Sequence, residues 1–275
     1  MKVNEKFNVN NKTVIITGGM GLLGKKHAEV VAEYGGIPII LDINDGEGFI
    51  FANEIESKYN TECLFLECDI TKESSVFNVR NEVLKSFGKI DILINNAAID
   101  AKAENIDGEA TSRLENFSLK QWNTELAVGL TGSMLCSKIF GKEMAKERNG
   151  VILNISSDLG IISPDQRLYR QDGIDEDQQP VKPITYSVIK HGLMGLTKYL
   201  ATYWADKGIR VNSISPGGIY TNQNPEFVQR LSNLVPLGRM ANEDEYKASI
   251  IFLISDASSY MTGSNLVIDG GRTCW

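Results

Sequence analysis

Long apolar runs are missing from this chain. No stretch of its 275 residues approaches the ~18 consecutive apolar residues that a membrane-spanning helix needs. The first ten residues are polar and lack the apolar segment of a secretion signal, so the expected location is cytoplasmic. Ligands for metals are scarce. The two histidines, His27 and His191, each fall in a helical stretch without a second ligand in sequence reach. The four cysteines (Cys63, Cys68, Cys136, Cys274) form no CxxC pair, which fits free thiols in a reducing compartment. No metal site is expected. Positive charge is also in deficit: 28 Lys and Arg against 35 Asp and Glu give a net charge of −7. An acidic surface repels phosphate backbones, so neither nucleic acid nor a membrane is an expected partner, and a small molecule is.

What is present is ordinary globular material, 42% hydrophobic and 23% charged. The length fits one large domain that folds without staples. Short apolar, β-branched runs alternate with segments of helical spacing. Strands are predicted at Thr13–Thr17, Ile37–Leu41, Cys63–Glu67, Ile90–Ile94, Val151–Ile155, Arg210–Ile214 and Leu266–Ile268. Helices are predicted at Lys25–Tyr34, Phe49–Tyr59, Lys72–Phe87, Leu119–Lys146, Thr185–Asp206 and Asn242–Ser255. Continuous apolar strands separated by helices predict a parallel sheet covered on both faces. The rhythm breaks only at 162–184, a run rich in Asp, Gln, Arg and Pro. A loop of that length in a compact domain is usually functional or disordered, and a substrate-facing loop is favoured here over a passive insertion.

Glycine spacing supplies the first functional signal. Thr17-Gly-Gly-Met-Gly-Leu-Leu-Gly24 follows the first strand and opens the first helix. Glycines there permit a tight turn and a close approach of backbone to a pyrophosphate, whose charge meets the N–H groups of the helix N-terminus. Asp42 ends the second strand, 18 residues beyond Gly24. A carboxylate there can accept both ribose hydroxyls of NAD and repels the 2′-phosphate of NADP. Neither Gly19 nor Met20 offers a basic side chain to hold that phosphate. NAD(H) is the expected cofactor, NADP the less favoured one.

Tyr186-Ser-Val-Ile-Lys190 puts a phenol and an ammonium on one helix face. A neighbouring cation is expected to bring the phenol, near 10 when free, down toward working pH for acid–base chemistry. Together these motifs resemble the short-chain dehydrogenase/reductase family over nearly the whole chain. Asn95-Asn-Ala-Ala98, Asn154-Ile-Ser-Ser157, Pro216-Gly217 and Asp269-Gly-Gly271 extend the match. The resemblance implies a single-domain α/β fold, a Rossmann-type doubly wound parallel sheet of about seven strands. It implies catalysis by Ser157, Tyr186 and Lys190: the tyrosine moves a proton, the lysine tunes it and binds the nicotinamide ribose, and the serine bonds the reacting oxygen. For the cofactor it implies Thr17, Gly18, Gly21, Leu22, Leu23, Gly24, Asp42, Ile43, Asp69 with Ile70 near the adenine, Asn96, Ala97, Ala98, Pro216, Gly217, Ile219 and Thr221. It also implies a homo-oligomer, tetramer or dimer, built through the two long helices.

Two departures stand out. Leu22 occupies the place where the family's compact branch has a glycine, giving the TGxxGxxG spacing of the extended branch. Gly129, within Ala127-Val-Gly-Leu-Thr131, stands where the family has an active-site asparagine, and Asn123 is not assigned as its replacement. These departures, the Pro216–Gln223 stretch and the 162–184 loop resemble the flagellin-modification dehydrogenases of nonulosonic (legionaminic-type) sugar pathways. That subgroup implies a polar, anionic sugar substrate. Arg167, Tyr169 and Arg170 could hold its phosphate or carboxylate, or the arginines could pair with the loop's own acids, Asp172 to Asp177. Rival readings are an NADPH-dependent 3-oxoacyl or other carbonyl reductase, a sugar-nucleotide epimerase or dehydratase, and a catalytically weakened nucleotide-binding scaffold.

Overall fold

Every residue of Thr13–Thr17 is buried, on both faces of the strand. Alternate side chains enter opposite cores: Val14 and Ile16 pack into one cluster with Ile40, Ile94 and Leu253, and Ile15 into the other with Ile39, Leu93 and Phe140. A strand with no solvated face belongs in the middle of a covered parallel sheet. The computed structural model describes residues 2–44, 46–100, 103 and 110–275. It has one seven-stranded sheet in the order β3-β2-β1-β4-β5-β6-β7, and every neighbouring pair is parallel. The strands are β1 Thr13–Thr17, β2 Ile37–Asp42, β3 Leu64–Glu67, β4 Ile92–Asn95, β5 Gly150–Ile155, β6 Ile209–Pro216 and β7 Asn265–Ile268.

The helices are α1 Leu22–Glu33, α2 Gly48–Tyr59, α3 Glu73–Phe87, α4 Leu119–Leu126, α5 Ser133–Glu147, α6 Ile184–Tyr203, α7 Pro225–Ser232 and α8 Lys247–Ile254. Among the described residues no helix is long and apolar enough to cross a membrane. The chain order reverses at β1 and β4, so a crevice opens beyond their carboxyl ends, the place where such sheets bind ligands.

Three segments differ from the sequence-based expectation. The helix predicted as continuous over Leu119–Lys146 is broken by a π-helical turn, Ala127–Gly132. Apolar spacing cannot register a change of backbone pitch that both flanking helices share. Helix α7 was not anticipated. Its start is marked by Asn224, whose side chain accepts from Glu226 N, and by Pro225 in the first turn. The 162–184 insertion is built rather than open. It holds two short 3₁₀ turns, Gln166–Tyr169 and Glu176–Gln178. Buried Gln179 fastens it, donating to Gln171 O and Ile174 O and accepting from Gln171 N. Its Leu168 packs with Leu231 and Met240, and the Tyr169 ring lies 5.5 Å from that of Phe227. The insertion and α7 therefore share a small core of their own.

Candidate active site

The β1–α1 turn is set by two close approaches. Gly18 has φ +60°, and a Cβ there would stand 2.7 Å from Ala97 Cα. A Cβ on Gly24 would stand 2.3 Å from Gly18 O, so helix and turn touch backbone to backbone. Asn96 staples this turn to β4: its side-chain amide donates to Thr17 O and Gly18 O, at 3.0 and 2.9 Å. In return Thr17 Oγ1 accepts from Asn96 N and Ala97 N. The first-turn N–H groups of α1, from Leu22 to Gly24, have no partner within the helix and point out of its end. Asp42 braces the same turn, one oxygen accepting from Met20 N at 3.0 Å and the other from Ile43 N at 2.9 Å.

A cavity of about 1120 Å³ runs along the carboxyl edge of the sheet from Asp42 to the C-terminal segment. One end is lined by Gly18, Gly21, Leu22, Leu23, Asp42, Ile43, Asp69 and Ile70. The middle is lined by Asn96, Ala97, Ala98, Ser157, Tyr186, Lys190, Pro216, Gly217, Ile219 and Thr221. Thr17 and Gly24 lie behind this lining, where they shape the turn.

Tyr186 and Lys190 are one turn apart on α6, whose start is fixed by a hydrogen bond from the Thr185 hydroxyl to buried Glu125 of α4. Lys190 is 6% exposed, its Nζ donates to Ile155 O at 2.8 Å, and burial lowers it to about 8. Its ammonium lies 5.6 Å from the Tyr186 ring centroid. The phenol does not follow the expected downward direction: burial pushes it up to about 12, while a hydrogen bond with Ser157 works against that rise. Ser157 Oγ also donates to Asp158 Oδ1 at 2.7 Å. Asp158 is buried, and desolvation raises its carboxyl above the usual range. Sequence reasoning passed over Asp158 and also Lys182, whose Nζ sits 4.2 Å from the Tyr186 ring centroid and 3.6 Å from Asp100. Nothing in their spacing marked either residue.

The loop arginines do not meet the cavity. Arg167 turns outward to Asp165 at 2.7 Å with its side chain 81% exposed, and Arg170 pairs with Glu176. The alternative of pairing with the acids of Asp172 to Asp177 describes Arg170 alone; Arg167 is taken instead by Asp165, an acid two residues before it and outside that run. Only Tyr169 of that trio lines the cavity.

Gly129 lies at the π turn facing α6. A Cβ there would stand 2.6 Å from Ile189 Cγ2, so this position permits the close approach of the π turn to the helix that bears Tyr186 and Lys190.

Residues 12–169 match the family model described as short chain dehydrogenase, and 176–273 match one described as enoyl-(acyl carrier protein) reductase. The chain belongs to the short-chain dehydrogenase/reductase family. It is 32% identical to an NAD-dependent glycerol dehydrogenase of Listeria innocua, covering 98% of this chain and 97% of the other. It is 30% identical to the post-translational flagellin modification protein A of Campylobacter coli, covering 96% and 98%. A solved gluconate 5-dehydrogenase of Burkholderia cenocepacia, in complex with NADP and tartrate, superposes over the whole of both chains with a TM-score of 0.86 at 25% identity. As a member of this family the chain is a nicotinamide-dependent oxidoreductase acting on alcohols.

Proposed function

We propose that the chain is an NAD(H)-dependent dehydrogenase that interconverts a secondary alcohol and a ketone on a polar, sugar-type substrate. The observation that carries this reading is the convergence of Ser157, Tyr186 and Lys190 on the cavity wall, beyond the sheet's carboxyl edge. The residues present fit the cofactor: Gly18 and Gly24 let the turn pack backbone against Ala97 and against itself, and the free first-turn N–H groups of α1 would meet a pyrophosphate. The nicotinamide, when bound, supplies the chemistry of accepting or donating a hydride.

Asp42 would hold the ribose hydroxyls, Asp69 and Ile70 the adenine, and Pro216, Gly217, Ile219 and Thr221 the nicotinamide end. At neutral pH Tyr186 keeps its proton, which suits donation to the oxygen of a ketone being reduced. Ser157 would steady that oxygen, and Lys190 would bind ribose from a site already anchored to β5. The polyol and sugar-acid names of the relatives support a polyhydroxylated substrate. By family likeness the protein forms a homo-oligomer in the cytoplasm.

Calorimetric titration with NADH and with NADPH tests the cofactor: tighter NADPH binding would remove the role of Asp42. Tyr186→Phe tests the chemistry, with turnover expected to fall at least ~100-fold at unchanged NADH affinity. Unchanged turnover would overturn the assignment.

A further inference from the structure

At the end of the cavity away from Asp42, the wall contains a charged group that the catalytic reading does not use. Arg272, three residues past Asp269, is 7% exposed and lines the cavity. Its Nε is buried without a hydrogen-bond partner, and its guanidinium forms no ion pair among the described residues. A buried cation without hydrogen bonds is costly, and native proteins rarely keep one without a use.

Its position is fixed rather than accidental. Asp269 Oδ1 accepts from Gly271 N at 2.9 Å and Oδ2 from Thr273 N at 2.7 Å, while Arg272 N donates to Asp269 O at 3.2 Å. Beyond it, Trp275 Nε1 donates to Leu234 O. This hydrogen-bonded turn holds the Arg272 backbone where its side chain is buried at the cavity wall. Its charge reaches Tyr169 and Asp158, and both of those also act on or feel Tyr186. Arg272 thus shares the substrate end of the cavity with the reacting phenol.

We propose that Arg272 is the anion-recognising residue of this enzyme, taking a singly charged carboxylate on a polyhydroxylated substrate. The inference rests on the dehydrogenase reading for which end of the cavity holds substrate. An unpaired Nε–H with a neighbouring Nη–H presents two parallel donors, the arrangement that a carboxylate fills with both oxygens. Asp158 and Asp165 stand near the same guanidinium, so a doubly charged phosphate would meet repulsion that a carboxylate largely escapes. Arg272 takes the role that the sequence had offered to Arg167 and Arg170.

The test is calorimetry on the NADH-loaded protein with D-gluconate, D-sorbitol and inorganic phosphate, for the parent, Arg272→Met and Arg272→Lys. The parent should bind gluconate at least ~10-fold more tightly than sorbitol, and Arg272→Met should weaken gluconate by roughly 10- to 100-fold, the range of a charge-assisted hydrogen-bonded pair. Arg272→Lys should fall between them, because it keeps the charge and loses the paired donors. Equal gluconate binding by parent and Arg272→Met overturns the site, as does a preference for phosphate or binding of no anion. If Arg272→Met does not bind NADH, Arg272→Lys decides: weaker gluconate binding with NADH affinity intact supports the site, and no weakening overturns it. The dehydrogenase reading fails separately, on Tyr186→Phe turnover. Arg272-dependent binding alongside Tyr186-independent turnover would sink the chemistry and leave the anion site standing.

Discussion

Replacing Gly129 by alanine sets two effects of similar size against each other. Alanine in place of glycine favours a helical backbone by about 1 kcal/mol. The added Cβ would lie 2.6 Å from Ile189 Cγ2, well inside contact distance, and overpacking of that kind costs about 1–3 kcal/mol. Ile189 is β-branched and 7% exposed, so Cγ2 cannot swing away. The expected net result for Gly129→Ala is a loss of about 0–2 kcal/mol. In an Ile189→Ala background the obstructing methyl is gone, and the same change should stabilise by up to about 1 kcal/mol. Ile189→Ala alone should cost about 2–5 kcal/mol through the cavity it leaves. Urea denaturation of the four proteins closes the cycle, with an expected coupling of about 1–3 kcal/mol favouring the double variant. Gly129→Ala stabilising equally in both backgrounds would refute the packing account. Gly129→Asn, which adds a larger side chain at the same tight contact, should be the more damaging single change.

Other consequences concern charge. Burial holds His27 at about 4 against an ordinary 6.5, so it stays neutral in the native state while the unfolded chain takes up a proton. The stability it contributes is therefore complete above pH 6.5 and declines as pH falls toward 4, by about 3 kcal/mol in all. The difference in urea midpoint between the parent and a His27→Leu variant, followed from pH 7 to 4.5, should shrink or reverse as pH falls. A constant difference would refute it. Lys190 behaves in the same sense at higher pH: burial lowers its ammonium from 10.5 to about 8, so stability is lost as pH falls between those values and the cost of the buried charge is complete at pH 7. Lys190→Met should raise the melting temperature at pH 7 while abolishing turnover, and a lower melting temperature would show that the bond to Ile155 O outweighs the burial cost.

The sheet was legible because its central strands β1, β2 and β4 are apolar runs buried on both sides, a pattern few other structures produce. The glycine turn was legible because close backbone approach admits one residue type, as at Gly18 and Gly24. Side-chain electrostatics were not. Spacing placed Lys190 beside Tyr186, but it could not convey that burial would dominate the phenol and point the ammonium at Ile155 O. Similarly, Arg167 and Arg170 read as equivalent to any cavity arginine until their acids, Asp165 and Glu176, were found beside them. Arg272 escaped notice because its direction is decided by the turn around Asp269, a feature of hydrogen bonds rather than of periodicity.

The staple between Asn96 and the Thr17–Gly18 backbone joins residues 78 and 79 apart in sequence, across the gap where the sheet's two halves meet. Mechanically it makes one jaw of the cleft a fixed anvil: the dinucleotide end can neither widen nor narrow without breaking several hydrogen bonds together. The opposite jaw, α7 with the 162–184 insertion, is held together by the small cluster of Leu168, Leu231 and Met240 and tied to its surroundings by single contacts such as Val181 N to Ser112 Oγ and Arg113 to Glu176 O. Whatever opening admits substrate and releases product must therefore come from that side. Turnover in such an enzyme would be paced by how readily those scattered contacts part and meet again.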